Sequence, residues 1–260
     1  MKVVDLTKEH EFEFVKCLEE WHDDAKESGP RRLCWYQAMK DRGLRVKLAL
    51  DDRGVAGGMI QYGPAENTWV EGQGLYFVYC VWVHGHKEGR GDYRGRGMGT
   101  ALIEAAEADA RSRGAKGLAA WGISLPFWMK AAWFKKHGYE VADKDGVAVL
   151  LWKRFSDDAK APRWMGQRKT PTAIPGKVAV TSFTHGWCMA QNLAYERAKR
   201  ASAEFGDSVV FREIDTLDMD ALREWGVSDG LYIDDKHINT GPPPTYKKIK
   251  RLIAKRVNKL

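Results

Sequence analysis

The chain predicts an α/β protein of two domains, and three observations carry that expectation. The run "LYFVYCVWV" (75–83) is apolar, aromatic or β-branched throughout and reads as a central strand buried on both faces. It leads into a glycine-rich turn and then an amphipathic helix. Beyond a proline-rich stretch at 156–176, a second β-α-β-α-β-β-α order begins. The expected division is 1–155, a linker at 156–176, and 177–260.

The first domain opens with a strand around Val3–Leu6. A helix is expected from about Lys8 to Ala25, with Phe12, Val15 and Leu18 near one face. "SGPRRLCWYQAMKDRG" places a proline near a helix start and a glycine past its end. "LRVKLALD" and "VAGGMIQYG" are strands joined by the hairpin signal "DDRG", and "GPAENTWVEGQG" is a loop. After the central strand, a helix runs from about Gly97 to Arg113. Leu102, Ile103, Ala106 and Ala110 share a stripe, with Glu104, Glu107 and Asp109 largely opposite. Arg111, Arg113 and Gly114 suit its C-terminus. "AKGLAAWGI" is a strand, and "LPFWMKAAWFKKHG" a helix opened by Pro126 and stopped by Gly138. "YEVAD" and "VAVLLWKRF" form a hairpin across "KDG". In the second domain, "KVAVTSF" and "SVVFREID" are strands and "GLYIDDKHIN" a hairpin. "GWCMAQNLAYERAKRASAEF", "DMDALREWG" and a proline-opened C-terminal segment are helices.

Composition narrows the class. Hydrophobic residues make up 44% and charged residues 30%, ordinary for a globular protein. No window reaches the ~18 consecutive apolar residues of a membrane span, and acidic residues enter the N-terminus at once, so a cytoplasmic protein is expected. The net charge of +7 is concentrated in the Arg-Gly stretch and in "YKKIKRLIAKRVNKL". That charge permits nucleic-acid binding but equally suits an anionic small molecule. In the basic tail Ile249, Leu252, Ile253 and Val257 form a stripe, which favours a docked helix over an RNA-binding segment. The four cysteines form no CxxC pair, so neither zinc nor a disulfide framework is expected. His84-Gly85-His86 lacks further ligand spacing. The aromatics of "LYFVYCVWV" and "WGISLPFWMKAAWF" suggest either a deep apolar slot or a heavy core.

"GDYRGRGMGTAL" (91–102) carries the chemistry. Glycines let the backbone approach an anion, and the helix that follows offers free N–H groups and its dipole. A Walker A loop would need a lysine before Thr100, where Gly99 stands. The spacing Gly95, Gly97, Gly99 is not GxGxxG. Arg94-Gly95-Arg96-Gly97-Met98-Gly99 does match [Q/R]-x-x-G-x-[G/A], and its strand–loop–helix setting resembles that of the GNAT superfamily of acyl-CoA-dependent N-acyltransferases. "AAWFKKHGYE" resembles that family's later helix. The resemblance covers about 1–155, most closely 75–140.

It implies the GNAT fold, a mixed, mostly antiparallel sheet flanked by helices, and acetyl-CoA or a related acyl-CoA as co-substrate. Backbone N–H groups of Arg94, Gly95, Arg96, Gly97, Met98, Gly99 and Thr100 would cradle the pyrophosphate. Val81, Trp82 and Val83 would pair with the pantetheine arm where the central strand splays from its neighbour. The acceptor would be an amine on a small molecule or a protein. Direct transfer needs a base for the amine and an acid for the leaving thiolate. Many family members use a tyrosine as acid, but the aligned residue here is Phe134, which has no proton to give. Tyr139, Tyr79, Cys80 and Tyr36 are the substitutes, and Glu71, His84 and Glu66 the base candidates. His84 stands just past the central strand, and the insertion "HGHKEGRGD" (84–92) could lid the coenzyme or shape the amine site.

"VAVTSFTHGWCMAQN" resembles the opening of a thioredoxin-like fold, with Gln191 where a second cysteine of Cys188-x-x-Cys would stand. Asp229-Gly230 replaces the expected cis-proline. The pairing of the two domains resembles GNAT proteins carrying a YoaP-like domain. Cys188 opens a helix, where a thiol's pKa falls, and His185 lies three residues before it. The rival reading is thus a thiol-redox or thiol-transfer protein with a coenzyme-binding first domain. The second domain could present substrate, cover the amine site or mediate a homodimer.

Overall fold

A computed structural model describes residues 1–125, 128–238 and 242–260. By spatial contact the chain forms two units, one of Met1–Trp21 with Tyr36–Met165, the other of His22–Trp35 with Gly166–Leu260.

The first unit is built on a seven-stranded sheet. Its strands are β1 (Lys2–Asp5), β2 (Arg45–Leu50), β3 (Ala56–Pro64), β5 (Leu75–Val83), β6 (Gly117–Ile123), β7 (Glu140–Asp145) and β8 (Ala148–Arg154), in the order β1-β2-β3-β5-β6-β8-β7. Only β5 and β6 run parallel. They are joined by helix α3 (Met98–Ser112), which packs over β3, β2 and β5. The reason is compositional: Met98, Leu102, Ile103 and Ala106 form one buried stripe against Ile60, Tyr62 and Val78, and Ala110 continues it, also buried. Glu107, expected on the polar face, is buried and held by Lys153 (Nζ to Oε2, 2.7 Å).

Three expectations are corrected here. The helix expected over 8–25 is a 3-10 turn (Lys8–His10) and a short α1 (Glu11–Val15). Cys17 and Leu18 then adopt φ of 53° and 61°, which breaks the helical path while Phe14 and Leu18 go to full burial. Pro30 does not open a helix but sits inside α2 (Asp23–Lys40). Proline removes one helical bond, and ion pairs within the second unit hold the helix around it: Asp24–Arg197, Glu27–Arg200 and Arg31–Glu213. Third, the loop at 63–74 contains β4 (Val70–Glu71). It pairs with β9 (Arg163–Trp164), which comes out of the expected linker.

In the second unit β10 (Val178–Thr184) lies between a parallel neighbour, β11 (Val209–Asp215), and an antiparallel one, β12 (Gly230–Ile233), with β13 (Lys236–Ile238) at the edge. Helix α5 (Met189–Ala203) crosses over from β10 to β11. With α7 (Tyr246–Val257) it buries Ala198, Ala201, Ile249 and Ile253 against Val178, Val180, Leu231 and Ile233. Thr245, not a proline, caps α7, accepting a bond from the Lys248 N–H. On the alternate face Phe183 packs edge-on against Tyr232 and against Trp225 of α6 (Met219–Trp225). The end of the expected hairpin, Asn239, lies outside the described residues. Among the described residues no helix is long and apolar enough to cross a membrane.

Candidate active site

The site starts from a fork between β5 and β6. Their parallel ladder ends at Val78↔Ala120, although β6 runs on to Ile123 along β8. On its other side β5 stays paired with β3 as far as Val83. Cys80 faces Gln61 and Val78 faces Tyr62, so Tyr79 is an extra residue. Such a bulge bends and twists its strand, turning β5 away from β6. Val81–Val83 therefore present backbone groups to a gap rather than to a strand. At the apex the Trp121 indole N–H donates to the Tyr79 carbonyl at 2.7 Å.

The β6 limb of the fork is lined by its own continuation. The Ile123 N–H donates to the Met129 carbonyl at 2.7 Å, and Ile123 bridges Lys130. Gly122 makes this possible, since a Cβ there would stand 2.9 Å from the Ala131 Cα. Helix α4 (Ala131–Lys136) begins at this contact. Pro126, expected to open it, lies outside the described residues. A cleft of about 260 Å³ separates the limbs. Val81, Val83 and Gly99 line it, together with Trp128, Met129, Lys130, Trp133 and Phe134.

Gly97 caps α3 with φ of 79°, and Gly95 has φ of 74°. A side chain at either costs about 1–2 kcal/mol in that backbone region. A Cβ at either would meet nothing within 4 Å, so this backbone faces open space. The first helical bond runs from the Ala101 N–H to the Gly97 carbonyl at 3.0 Å. The N–H groups of Met98, Gly99 and Thr100 precede it and form the positive end of α3. Since Gly99 lines the cleft, helix end and open strand edge meet in one place. Arg94 grips Asp92 (Nη2 to Oδ2, 2.6 Å), and its guanidinium holds that carboxyl far below the usual range. Arg96 lies over the Tyr93 ring at 4.9 Å. Both arginines are exposed. The Thr100 hydroxyl donates to His137 Nε2 (3.1 Å), whose Nδ1–H donates to the Trp133 carbonyl (2.8 Å). That chain of bonds ties the first turn of α3 to α4.

The structure separates the catalytic candidates. His84 is fully buried, and its Nδ1 lies 2.6 Å from the Gly91 carbonyl. A carbonyl only accepts, so Nδ1 carries the proton and Nε2 the lone pair. Nε2 is buried without a hydrogen-bond partner among the described residues, and Trp21 packs edge-on to the ring. Glu71 is ion-paired to Arg163 in the β4–β9 ribbon, and Glu66 accepts the Gly74 N–H. Tyr139 packs on Phe134 in the core; burial, with the Glu107 carboxylate beside it, pushes its pKa well above the ordinary value. It does not line the cleft. Tyr79 is buried and donates to the Asn67 carbonyl, Cys80 is buried, and Tyr36 donates to Glu11. Phe134 does line the cleft. Among the described residues no group of three or more His, Cys, Asp or Glu is placed to hold a metal.

Sequence reasoning missed Arg90, Trp121, Gly122 and Trp133. The aromatic run 121–134 was the available signal: three of its rings, Trp128, Trp133 and Phe134, line the cleft. Arg90, inside the 84–92 insertion, is nearly buried and donates to the carbonyls of Leu18 (3.1 Å) and Ala56 (2.9 Å). It also pairs with Glu20 (2.5 Å) and Glu13 (3.2 Å). The insertion is therefore pinned to residues 13–21.

In the second unit Cys188 is the residue that precedes α5, with extended backbone, and it is buried. Close by, Asp229 accepts from the His185 N–H (3.2 Å), the Trp187 indole (2.8 Å) and the Ser228 hydroxyl (3.1 Å). Burial raises its pKa to about 6 against those bonds.

The sequence profile described as "Acetyltransferase (GNAT) family" matches residues 5–139. Comparison with curated proteins finds no match. Among solved structures, the GNAT-family N-acetyltransferase YhbS of Escherichia coli, in complex with CoA, is 14% identical. It covers 63% of this chain and 88% of its own, with a TM-score of 0.45. The PaiA N-acetyltransferase of Thermoplasma acidophilum, in complex with coenzyme A, is 14% identical over 60% and 100% of the two chains, TM-score 0.42. A GNAT-family acetyltransferase of Brucella melitensis, in complex with acetyl-CoA, is 20% identical over 60% and 89%, TM-score 0.39.

Proposed function

Because this chain belongs to the GNAT acetyltransferase family, we propose that it is an N-acyltransferase that moves an acetyl group from acetyl-CoA to an amine of a small molecule or a protein. The observation that carries this reading is the shared cleft. An unpaired strand edge, Val81–Val83, and the free N-terminus of α3 open into one apolar slot. The edge supplies donors and acceptors in a row for the amides of a pantetheine arm. The helix end and its glycines supply N–H groups for a pyrophosphate. Arg96 adds charge without an ion-pair partner among the described residues, while Arg94 is shared with Asp92.

The nucleophile must arrive as a neutral amine and attack the thioester carbonyl, and the thiolate then leaves and takes a proton. We assign the base to His84, acting through a water relay because its ring is fully buried and does not line the cleft, since its lone pair is on Nε2 and Glu71 and Glu66 are engaged elsewhere. Tyr139, off the cleft and holding its proton tightly, makes a poor acid. With Phe134 in the usual place, the thiolate leaves without a tyrosine beside it and takes its proton from water.

Isothermal calorimetry with acetyl-CoA tests the core of this reading. Micromolar binding is expected, and Gly97→Glu should abolish it while the fold survives. Absence of binding, or indifference to Gly97→Glu, overturns it.

A second reading assigns thiol chemistry to the second unit, which we read as thioredoxin-like from its β10-α5-β11 crossover and antiparallel β12–β13. Cys188 at the start of α5 favours it, because a helix N-terminus stabilises a thiolate. Alkylation rates against pH decide: a thiol pKa at or above that of a free cysteine sinks this reading.

A further inference from the structure

The fork carries more than a place for the coenzyme. Its apex is shut by a side chain, and that bears on which acyl group the enzyme accepts. The last paired residues are Val78 and Ala120. The next residue on β6, Trp121, crosses the gap and gives its indole N–H to the Tyr79 carbonyl at 2.7 Å. The indole so replaces the ladder bond that the bulge removes, and it fills the place where the gap would otherwise continue. Trp128, which lines the cleft, packs edge-on against Trp121 with ring centroids 5.1 Å apart. The two rings stand together at the apex, Trp128 on the cleft and Trp121 behind it.

Direction follows from topology. The Gly95–Thr100 loop comes after the C-terminal end of β5, so an anion held there lies at the Val83 end of the open edge. An arm laid along the edge runs back from Val83 to Val81, about 7 Å at the strand rise of ~3.3 Å per residue, with about 7 Å more from there to Tyr79. The thioester then arrives at the Val81 end, and the acyl tail points at the two rings. We propose that Trp121, together with Trp128, is the chain-length determinant of the acyl donor: the pair admits acetyl and propionyl groups and excludes longer tails. Trp121 acts here by shape and by holding the fork, not as an acid, for its indole proton is already given to a carbonyl. This inference rests on the coenzyme reading above.

The test needs no knowledge of the acceptor. Affinities of free CoA and of acetyl-, propionyl-, butyryl- and hexanoyl-CoA are measured by calorimetry on the full chain. For the wild type, free CoA and the two shorter thioesters should bind alike, with hexanoyl-CoA at least tenfold weaker, the scale at which a pocket discriminates methylene groups. Trp121→Ala should erase that gap, read as the ratio of hexanoyl-CoA to acetyl-CoA affinity within the variant. Trp121→Phe keeps the ring and loses the N–H, so it should retain most of the discrimination. If Trp121→Ala does not fold, Trp128→Ala, at a half-exposed position, should relax the selectivity in part. Equal affinity across chain lengths in the wild type, or an unchanged ranking in Trp121→Ala and Trp128→Ala, overturns the proposal while CoA binding stands. Failure of free CoA to bind the wild type is a different result and overturns the coenzyme reading itself.

Discussion

Single residues decide the chemistry of both units. Gly97 was readable from its place in the Arg-Gly stretch, because only a glycine combines a left-handed backbone with an open approach for an anion. Asp229 was not, since nothing local marks an aspartate for withdrawal from solvent among three donors. Its consequence is a pH dependence of known sign. The carboxyl titrates near 3.8 when unfolded and at about 6 when folded, so between those values the native state binds more protons. Stability then falls as pH rises from about 4 to about 6. The full penalty of about 3 kcal/mol is present above that window and absent below it. Asp229→Asn should remove this contribution. Urea midpoints measured at pH 4 and pH 7 should converge for the variant relative to the wild type, and an unchanged difference would show that Asp229 is not its source.

Among the elements, the 84–92 insertion shows how little a segment's composition says about its rigidity. "HGHKEGRGD" looks like a flexible, charged loop. In the folded chain His84 donates to the Gly91 carbonyl, and Arg90 is sunk among two carbonyls and two carboxylates. Removing one partner of a buried ion pair costs about 3–5 kcal/mol. Arg90→Ala should therefore speed amide exchange across both 84–92 and 17–20. Arg90→Lys should not restore protection, since a single ammonium cannot reach all four partners. Exchange confined to 84–92 in Arg90→Ala would mean that the insertion is held from elsewhere. The strands, by contrast, were legible: β5, β6, β8 and β10 lie where their apolar and β-branched runs predicted, because such side chains suit a sheet covered on both faces. The helix expected over 8–25 failed because its apolar spacing was met by burial of Phe14 and Leu18 across a chain reversal, an outcome period alone does not distinguish from a continuous helix.

For the molecule as a whole, the family profile covers residues 5–139, β7 and β8 complete the same sheet, and residues 178–257 carry a sheet and core of their own. Acyl-CoA binding to the native state should raise its stability by mass action, about 2.7 kcal/mol when free ligand reaches 100 times Kd. Thermal unfolding with and without saturating acetyl-CoA reads this directly. Gly97→Glu should unfold at one temperature under both conditions, and a ligand-dependent shift in that variant would place the binding elsewhere. The basic C-terminal segment is half accounted for by packing: Ile249 and Ile253 are buried against the sheet, as its stripe predicted.

By itself the sequence determined the α/β class, the order of nearly all strands, and the glycine turn that opens α3, because each depends on local periodicity or on glycine's backbone freedom. It also puts Phe134 where the resemblance implies a tyrosine. Only the tertiary structure decided that Tyr79 bulges, that β5 and β6 part there, and that Trp121 closes the fork. It likewise decided that residues 22–35 pack with the second unit and that His84 is buried with Nδ1 bonded to the Gly91 carbonyl. These depend on which groups meet across long separations in sequence, and hydrogen-bond partners chosen in three dimensions leave no period in one.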